Sequence, residues 1–258
     1  MTAADRSPAD VAQPPSHPVG APVASGARGV PPYAAAVFDM DGLLLDSERP
    51  VRSAWMDASA EFGVSLRTEQ YQALIGLNHT DSQQRMFRLL GNSASLMSQV
   101  QCRAQSLLVE RFGDRGFEVK SGARRLLKAL REAGVPCAVA SSTGCAEVRR
   151  RLQAAHLLDS FSAVCGGDEV TLGKPHPDLY RLALQRLDVR ADRALAFEDS
   201  GPGVQAAWAA GLAVVAVPDL SIPAPLWQSR CLAVLASLEG ACERSVDWFG
   251  VDCITAPG

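Results

Sequence analysis

The segment AAAVFDMDG, from Ala34 to Gly42, is apolar until it meets two acids and a glycine. A short unbroken apolar run of this kind predicts a strand buried on both faces, with its carboxyl end at Asp39. From Glu48 to about Phe117 the pattern changes. Trp55, Ala58 and Phe62, then Leu74, then Met86, Leu89 and Leu90 recur at three- and four-residue steps, with no strand among them. That period predicts a helical insertion. Alternation then resumes. SGARRLLKALREAG reads as an amphipathic helix ended by Gly134, and VPCAVASS as a strand ending at Ser141. CAEVRRRLQAAHL reads as a helix, FSAVCGGDEV contains a short strand, and PDLYRLALQRL is helical. ALAFEDS, VQAAWAAGL and LAVVAVP continue as strand, helix and strand. Such a βαβα order predicts a parallel sheet covered on both faces. CLAVLASLEG suggests a last strand and turn, and no element is predicted for 241–258.

The polar positions fill in the rest. Residues 1–32 are rich in Ala, Pro, Gly and Ser without an apolar period. They are expected to be a disordered extension, because they bury too little surface to offset their ordering entropy. The Arg124, Arg125, Lys128, Arg131 cluster and the run Arg149, Arg150, Arg151 read as solvated helix faces. Trp55 and Trp208 read as core positions. The expected organisation is therefore an extension at 1–32 and a core at 33–48 and 118–240. A helical insertion at 49–117 and a tail at 241–258 complete it.

Composition narrows the function classes. The 258-residue chain is 47% hydrophobic and 21% charged, with net charge −3. That balance predicts neither a nucleic-acid nor a membrane-surface partner. The N-terminus has no apolar signal region, and no apolar run is long enough to span a bilayer. Seven Cys residues without a CxxC pair are then expected to be reduced thiols in a cytoplasmic protein.

Candidate chemistry gathers at the carboxyl ends of successive strands and in one loop. Asp39 with Asp41, Ser141 with Ser142 and Thr143, Lys174, and Glu198 with Asp199 all fall there. In an open parallel sheet, ligands bind outside those ends. Clustered carboxylates repel and need a cation. Oxygen donors without His or Cys suit Mg²⁺ rather than Zn²⁺. A carboxylate is also a nucleophile toward phosphorus, and Asp41, two residues on, is within reach of an ester oxygen as acid and base. Lys174 and Ser141 suit phosphate oxygens. Each piece alone has a plainer reading. Ser141 to Thr143 could cap a helix, Lys174 could be a solvated loop residue, and Glu198–Asp199 an ordinary turn. The plain readings must all hold at once, and that coincidence argues against them.

Taken in order, FDMDG, SST, GKPHPD and FEDSGPGV resemble the four motifs of haloacid-dehalogenase-like hydrolases, over nearly all of Tyr33 to Glu239. The insertion after the first motif resembles the small four-helix cap of the phosphatase and β-phosphoglucomutase subgroup. The resemblance implies a Rossmann-like α/β core with that inserted cap. It also implies a Mg²⁺-dependent phosphatase for a small phosphorylated metabolite (a sugar, polyol or nucleoside phosphate), working through an aspartyl-phosphate. By position, Asp39 is then the nucleophile and Asp41 the acid/base. Ser141, Ser142 and Lys174 bind phosphate. Asp39, Asp199 and the main-chain carbonyl of Asp41 hold the metal, with Glu198 at the metal site.

The sequence also departs from that pattern. In the mutase branch a His stands where this chain has Val51, and cap Lys and Arg residues stand near Ile75 and His79. Hydrolysis is therefore favoured over phosphosugar mutation, and Val51, Asn78 and His79 become specificity candidates. His176 reads as a turn residue, and Asp46 with Glu48 as the core–cap hinge. A receiver-type phosphoacceptor module is too short and lacks an insertion, and a non-catalytic protein would not keep every motif residue. A monomer is expected.

Overall fold

The computed structural model describes residues 31–74, 79–113 and 115–253. Nearly all of the expected N-terminal extension, 1–30, lies outside the described residues, as do Asn78, Ile75 and the side chain of His79.

Six parallel strands form one sheet in the order β3-β2-β1-β4-β5-β6. They are β1 (Ala35–Phe38), β2 (Cys137–Ser141), β3 (Ala163–Gly166), β4 (Ala194–Glu198), β5 (Ala213–Ala216) and β6 (Ala233–Val234). β1 is central and pairs with β2 on one side and β4 on the other, with Phe38 opposite Val139 and Phe197. The chain leaves β1 for β2 and β3, then crosses to β4, so the direction of winding reverses at β1. A crevice opens at the carboxyl edge at such a point.

The two faces differ in side-chain size. Phe38 and Phe197 stack at 4.8 Å on one face, beneath α5 (Ala123–Glu132), α6 (Cys145–Ala154) and α10 (Leu238–Phe249). Ala35, Val37, Ala138, Ala140, Ala194 and Ala196 line the other, against α7 (Asp178–Leu187), α8 (Gly201–Ala209) and the short α9 (Pro225–Gln228). Strand side chains alternate in direction, so β1 to β5 each feed both layers. α5 shows the pattern behind its burial: Ala123, Leu126, Leu127 and Leu130 stand on one stripe at helical spacing and are buried.

α10 is an element the sequence reading does not contain. It occupies the start of the expected tail, with Ala241, Cys242, Ser245, Trp248 and Phe249 buried. Ala241, Cys242, Trp248 and Phe249 join the same core as Phe38 and Phe197.

The insertion consists of α1 (Glu48–Glu61), α2 (Thr68–Gln72), α3 (His79–Leu89) and α4 (Ala94–Phe112). Ala54 and Ala58 of α1 and Val100 and Ala104 of α4 are buried, and small residues let two helix backbones approach closely. The chain enters and leaves the insertion side by side. Leu45 and Val119 form an antiparallel bridge. The N–H of Asp46 donates to the Glu118 carbonyl (2.8 Å) and that of Lys120 to the Leu44 carbonyl (2.9 Å). Asp219, in the loop after β5, holds both crossings: Lys120 Nζ donates to it at 2.8 Å and Arg49 Nη1 at 3.0 Å. Among the described residues no helix is long and apolar enough to cross a membrane.

Candidate active site

Asp39 is the first residue past β1, and its N–H continues the ladder to the Phe197 carbonyl (3.0 Å). Its side chain is therefore fixed at the carboxyl edge between β1 and β4. The loop before α7 brings Lys174 to it. Lys174 Nζ donates to Asp39 Oδ1 at 2.6 Å and to Glu198 Oε1 at 2.5 Å. All three side chains are buried. Tyr180 of α7 donates its hydroxyl to the same Glu198 oxygen (2.6 Å) and lends its ring face to the ammonium (5.3 Å). Glu198 Oε2 accepts from the N–H groups of Asp199 and Ser200 and from Ser200 Oγ. The carboxylate thus sits at the N-terminus of α8, where the helix dipole favours it. A Cβ at Gly203 would lie 2.0 Å from it, so only glycine leaves room.

Asp199 turns back toward the first loop. Gly42, at φ +85°, would place a Cβ 2.2 Å from Asp199 Oδ2. Both the backbone conformation and the space demand glycine there. Burial pushes Asp39 well above the usual carboxylate range. Glu198 and Asp41 add to the rise, and Lys174 opposes it. Burial and the charges of Asp39 and Glu198 raise Asp199 in the same way. Burial alone would lower Lys174, but Asp39 and Glu198 outweigh it and hold the ammonium charged. One ammonium among three buried carboxylates leaves an excess of negative charge, which suits a hard, oxygen-seeking cation. Among the described residues no three His, Cys, Asp or Glu side chains converge as a ligand set by themselves. Glu198, with donors on both oxygens, fits as support rather than as a direct ligand.

Asp41 faces a different environment. Oδ1 accepts from Arg151 Nη1 (2.6 Å) and Ser47 Oγ (2.7 Å). Oδ2 accepts from Thr143 Oγ1 (2.9 Å) and Ser141 Oγ (3.3 Å). Arg151 corrects the sequence reading. Arg149 and Arg150 are exposed, whereas Arg151 is buried. Three consecutive helix residues sweep about 200° around the axis and cannot share one face. Arg151 falls beside Val148 and Leu152, on the side turned to the core.

Asp41, Ser142, Thr143 and Arg151 form one side of a cavity of about 410 Å³. The insertion forms the other, with Val51, Trp55, Tyr71, Leu74, Met86 and Met97. Trp55 is thus half-buried and faces the cavity as well as the core. Glu48 also faces this space. Among the described residues its Oε2 is buried without a hydrogen-bond partner, and burial, then Asp219 and Asp41, push its carboxyl up to about 7. Asp46 pairs with Arg49 at the crossing (2.9 Å).

The sheet edge therefore brings together Asp39, Asp41, Ser141, Lys174, Glu198 and Asp199. Ser142 is exposed at the cavity margin. Of the specificity candidates, Val51 lines the cavity, while Asn78 and the His79 side chain lie outside the described residues. Sequence reasoning did not assign Arg151, Ser47, Tyr180 or Tyr71 to the site. A helical projection of α6 carries the signal for Arg151; the other three sit beside the motifs only in three dimensions.

The family model for haloacid dehalogenase-like hydrolases matches residues 36–217. A probable pseudouridine-5'-phosphatase of Drosophila melanogaster is 35% identical over 228 residues, covering 85% of this chain and 94% of the relative. A phosphorylated carbohydrates phosphatase of Thermotoga maritima is 29% identical over 189 residues, covering 69% and 82%. The crystal structure of CbbY from Rhodobacter sphaeroides in complex with phosphate superposes with a TM-score of 0.68 at 28% identity, covering 80% of this chain and 95% of that one.

Proposed function

The chain belongs to the haloacid dehalogenase-like hydrolases and acts on phosphorylated compounds as a phosphoric monoester hydrolase; on that premise we propose that it cleaves a small phosphorylated metabolite through a phospho-enzyme formed on Asp39. The observation that carries this reading is the buried Asp39–Lys174–Glu198 cluster, with Asp41 two residues away at the cavity wall. Asp39 attacks phosphorus, and the bond from phosphorus to the ester oxygen breaks. Asp41 delivers its proton to that oxygen, so the product leaves as an alcohol. Water then attacks the aspartyl-phosphate and gives its proton to Asp41. The bond from phosphorus to the Asp39 oxygen breaks, releasing inorganic phosphate. Lys174 opposes the burial-driven rise at Asp39 and offsets charge on the transferring group. Ser141 and Ser142 hold phosphate oxygens. Mg²⁺, held by Asp39, Asp199 and the Asp41 main-chain carbonyl, would neutralise charge between nucleophile and phosphate.

The helical insertion acts as a cap over the alcohol part of the substrate, excluding water and selecting what fits. Its described wall is mainly apolar, and Val51 stands at its start. That favours release of an uncharged alcohol over the two-ended grip on a bisphosphate that a mutase needs. Every group in this scheme belongs to one chain, so a monomer suffices for it.

Borohydride reduces an acyl phosphate to an alcohol. Quenching turnover of p-nitrophenyl phosphate with borohydride should convert Asp39 to homoserine, detected by peptide mass. Steady release of phosphate with no such conversion would exclude the covalent scheme. Isomerisation of β-glucose 1-phosphate faster than phosphate release would move the reading to a mutase.

A further inference from the structure

Asp41 is held more firmly than its two-step task requires of a free carboxyl. Each oxygen has two donors, and one donor is a guanidinium whose side chain is only 10% exposed. Arg151 is itself fixed from three directions. Nη1 reaches Asp41, Nε donates to Glu147 Oε1 at 2.8 Å, and the guanidinium lies over the Phe117 ring at 5.1 Å. A planar group held this way has little rotational freedom, so it acts as a fixed mount for its partner. The two Asp41 oxygens are not equivalent. Arg151 and Ser47 grip Oδ1, while Oδ2 is turned toward Thr143 and Ser141, on the side where phosphate is to bind.

We propose that Arg151 is a positioning residue: by anchoring Oδ1 it aims Oδ2 of Asp41 at the bridging oxygen of the substrate. This rests on the phosphatase reading above. No contact of Arg151 with the transferring phosphoryl group is needed, because the effect passes through Asp41. A one-ångström error in the aim of a proton donor is enough to lose most of its contribution.

The test separates proton delivery from general damage. Phenyl phosphate and p-nitrophenyl phosphate have nearly the same shape, but phenoxide leaves poorly without a proton and p-nitrophenoxide leaves well. In Arg151→Met, kcat/KM for phenyl phosphate should fall about 10- to 100-fold, while that for p-nitrophenyl phosphate should fall less than about 3-fold. Arg151→Lys should recover part of the phenyl phosphate rate, since an ammonium can still grip Oδ1 without the planar mount. Equal losses on both substrates, no loss, or a gain on phenyl phosphate would overturn the proposal. Should Arg151→Met not fold, Glu147→Gln loosens the Nε anchor only, and the same selective loss at smaller size is required of it. Borohydride trapping at Asp39 in the wild-type chain runs alongside. Failure of trapping sinks the hydrolytic scheme, whereas trapping with unselective losses sinks the role of Arg151 alone.

Discussion

Asp39 lies among charged groups that are buried and bonded to one another, with Lys174, Glu198 and Tyr180 within a few ångströms. Across the cavity, the insertion presents the apolar side chains of Val51, Leu74, Met86 and Met97. The first region is set by electrostatics. Moving any member leaves a buried charge unpaired, so its geometry tolerates little change. The second is set by packing, where methionine and other apolar side chains adapt to different shapes. On the proposed mechanism, bond breaking belongs to the sheet edge and selection to the insertion.

Substitutions on the two sides should therefore fail differently. Asp39→Asn should cut phosphate release on the order of 10⁴-fold or more, with a cooperative unfolding transition retained to show that the fold persists. Chelation should be nearly as severe: excess EDTA should stop turnover, and added Mg²⁺ should restore it. Full activity in chelator would remove the cation from the scheme. Asp41→Asn should slow turnover by about 10² to 10⁴, read by single-turnover kinetics as loss in both chemical steps. On the opposite wall the effect should be smaller and of another kind. Trp55→Ala should raise KM for bulky phosphate esters about 10-fold and leave kcat within a factor of about three. A comparable collapse of kcat would erase the contrast between the regions.

The effect of least consequence for turnover is on stability and lies at the boundary between them. Glu48 titrates at about 7 in the fold, against 4.5 ordinarily. Between those values the folded chain binds a proton that the unfolded chain has released. Stability from this group is therefore present at low pH and is lost as pH rises through about 7. The loss is on the order of 3 kcal/mol at most. Urea unfolding of wild-type and Glu48→Gln chains at pH 5 and pH 8, without added metal, should show a flatter pH dependence in the variant. Parallel curves would mean that Glu48 is not protonated by burial.

The parts of this arrangement legible in the sequence are those fixed by local pattern. Apolar runs ending at Asp39, Ser141 and Glu198 announce parallel strands, and strand ends announce the site. Arg151 was hidden because a charged run reads as solvent-facing unless the helix is projected residue by residue. α10 was hidden because its buried face mixes Cys242, Ser245 and Trp248 with Ala241 and Phe249, a stripe of weak contrast. The cavity wall was illegible for a different reason. Val51, Trp55, Tyr71 and Met97 come from three helices, and only their packing sets them around one space.

The paired crossing at Leu45 and Val119, with Asp219 gripping Arg49 and Lys120, has a consequence for how such chains diversify. An insertion whose two ends meet at a single bridge behaves as a cassette. Two cuts, one on each side of that bridge, would excise it without disturbing the register of any strand. Another cassette of different length could be grafted at the same doorway, provided that it returns to the same pair of backbone hydrogen bonds. On the proposed mechanism, such an exchange would alter what fits against the cavity through one contiguous stretch of chain and leave the strand-end residues around Asp39 in place.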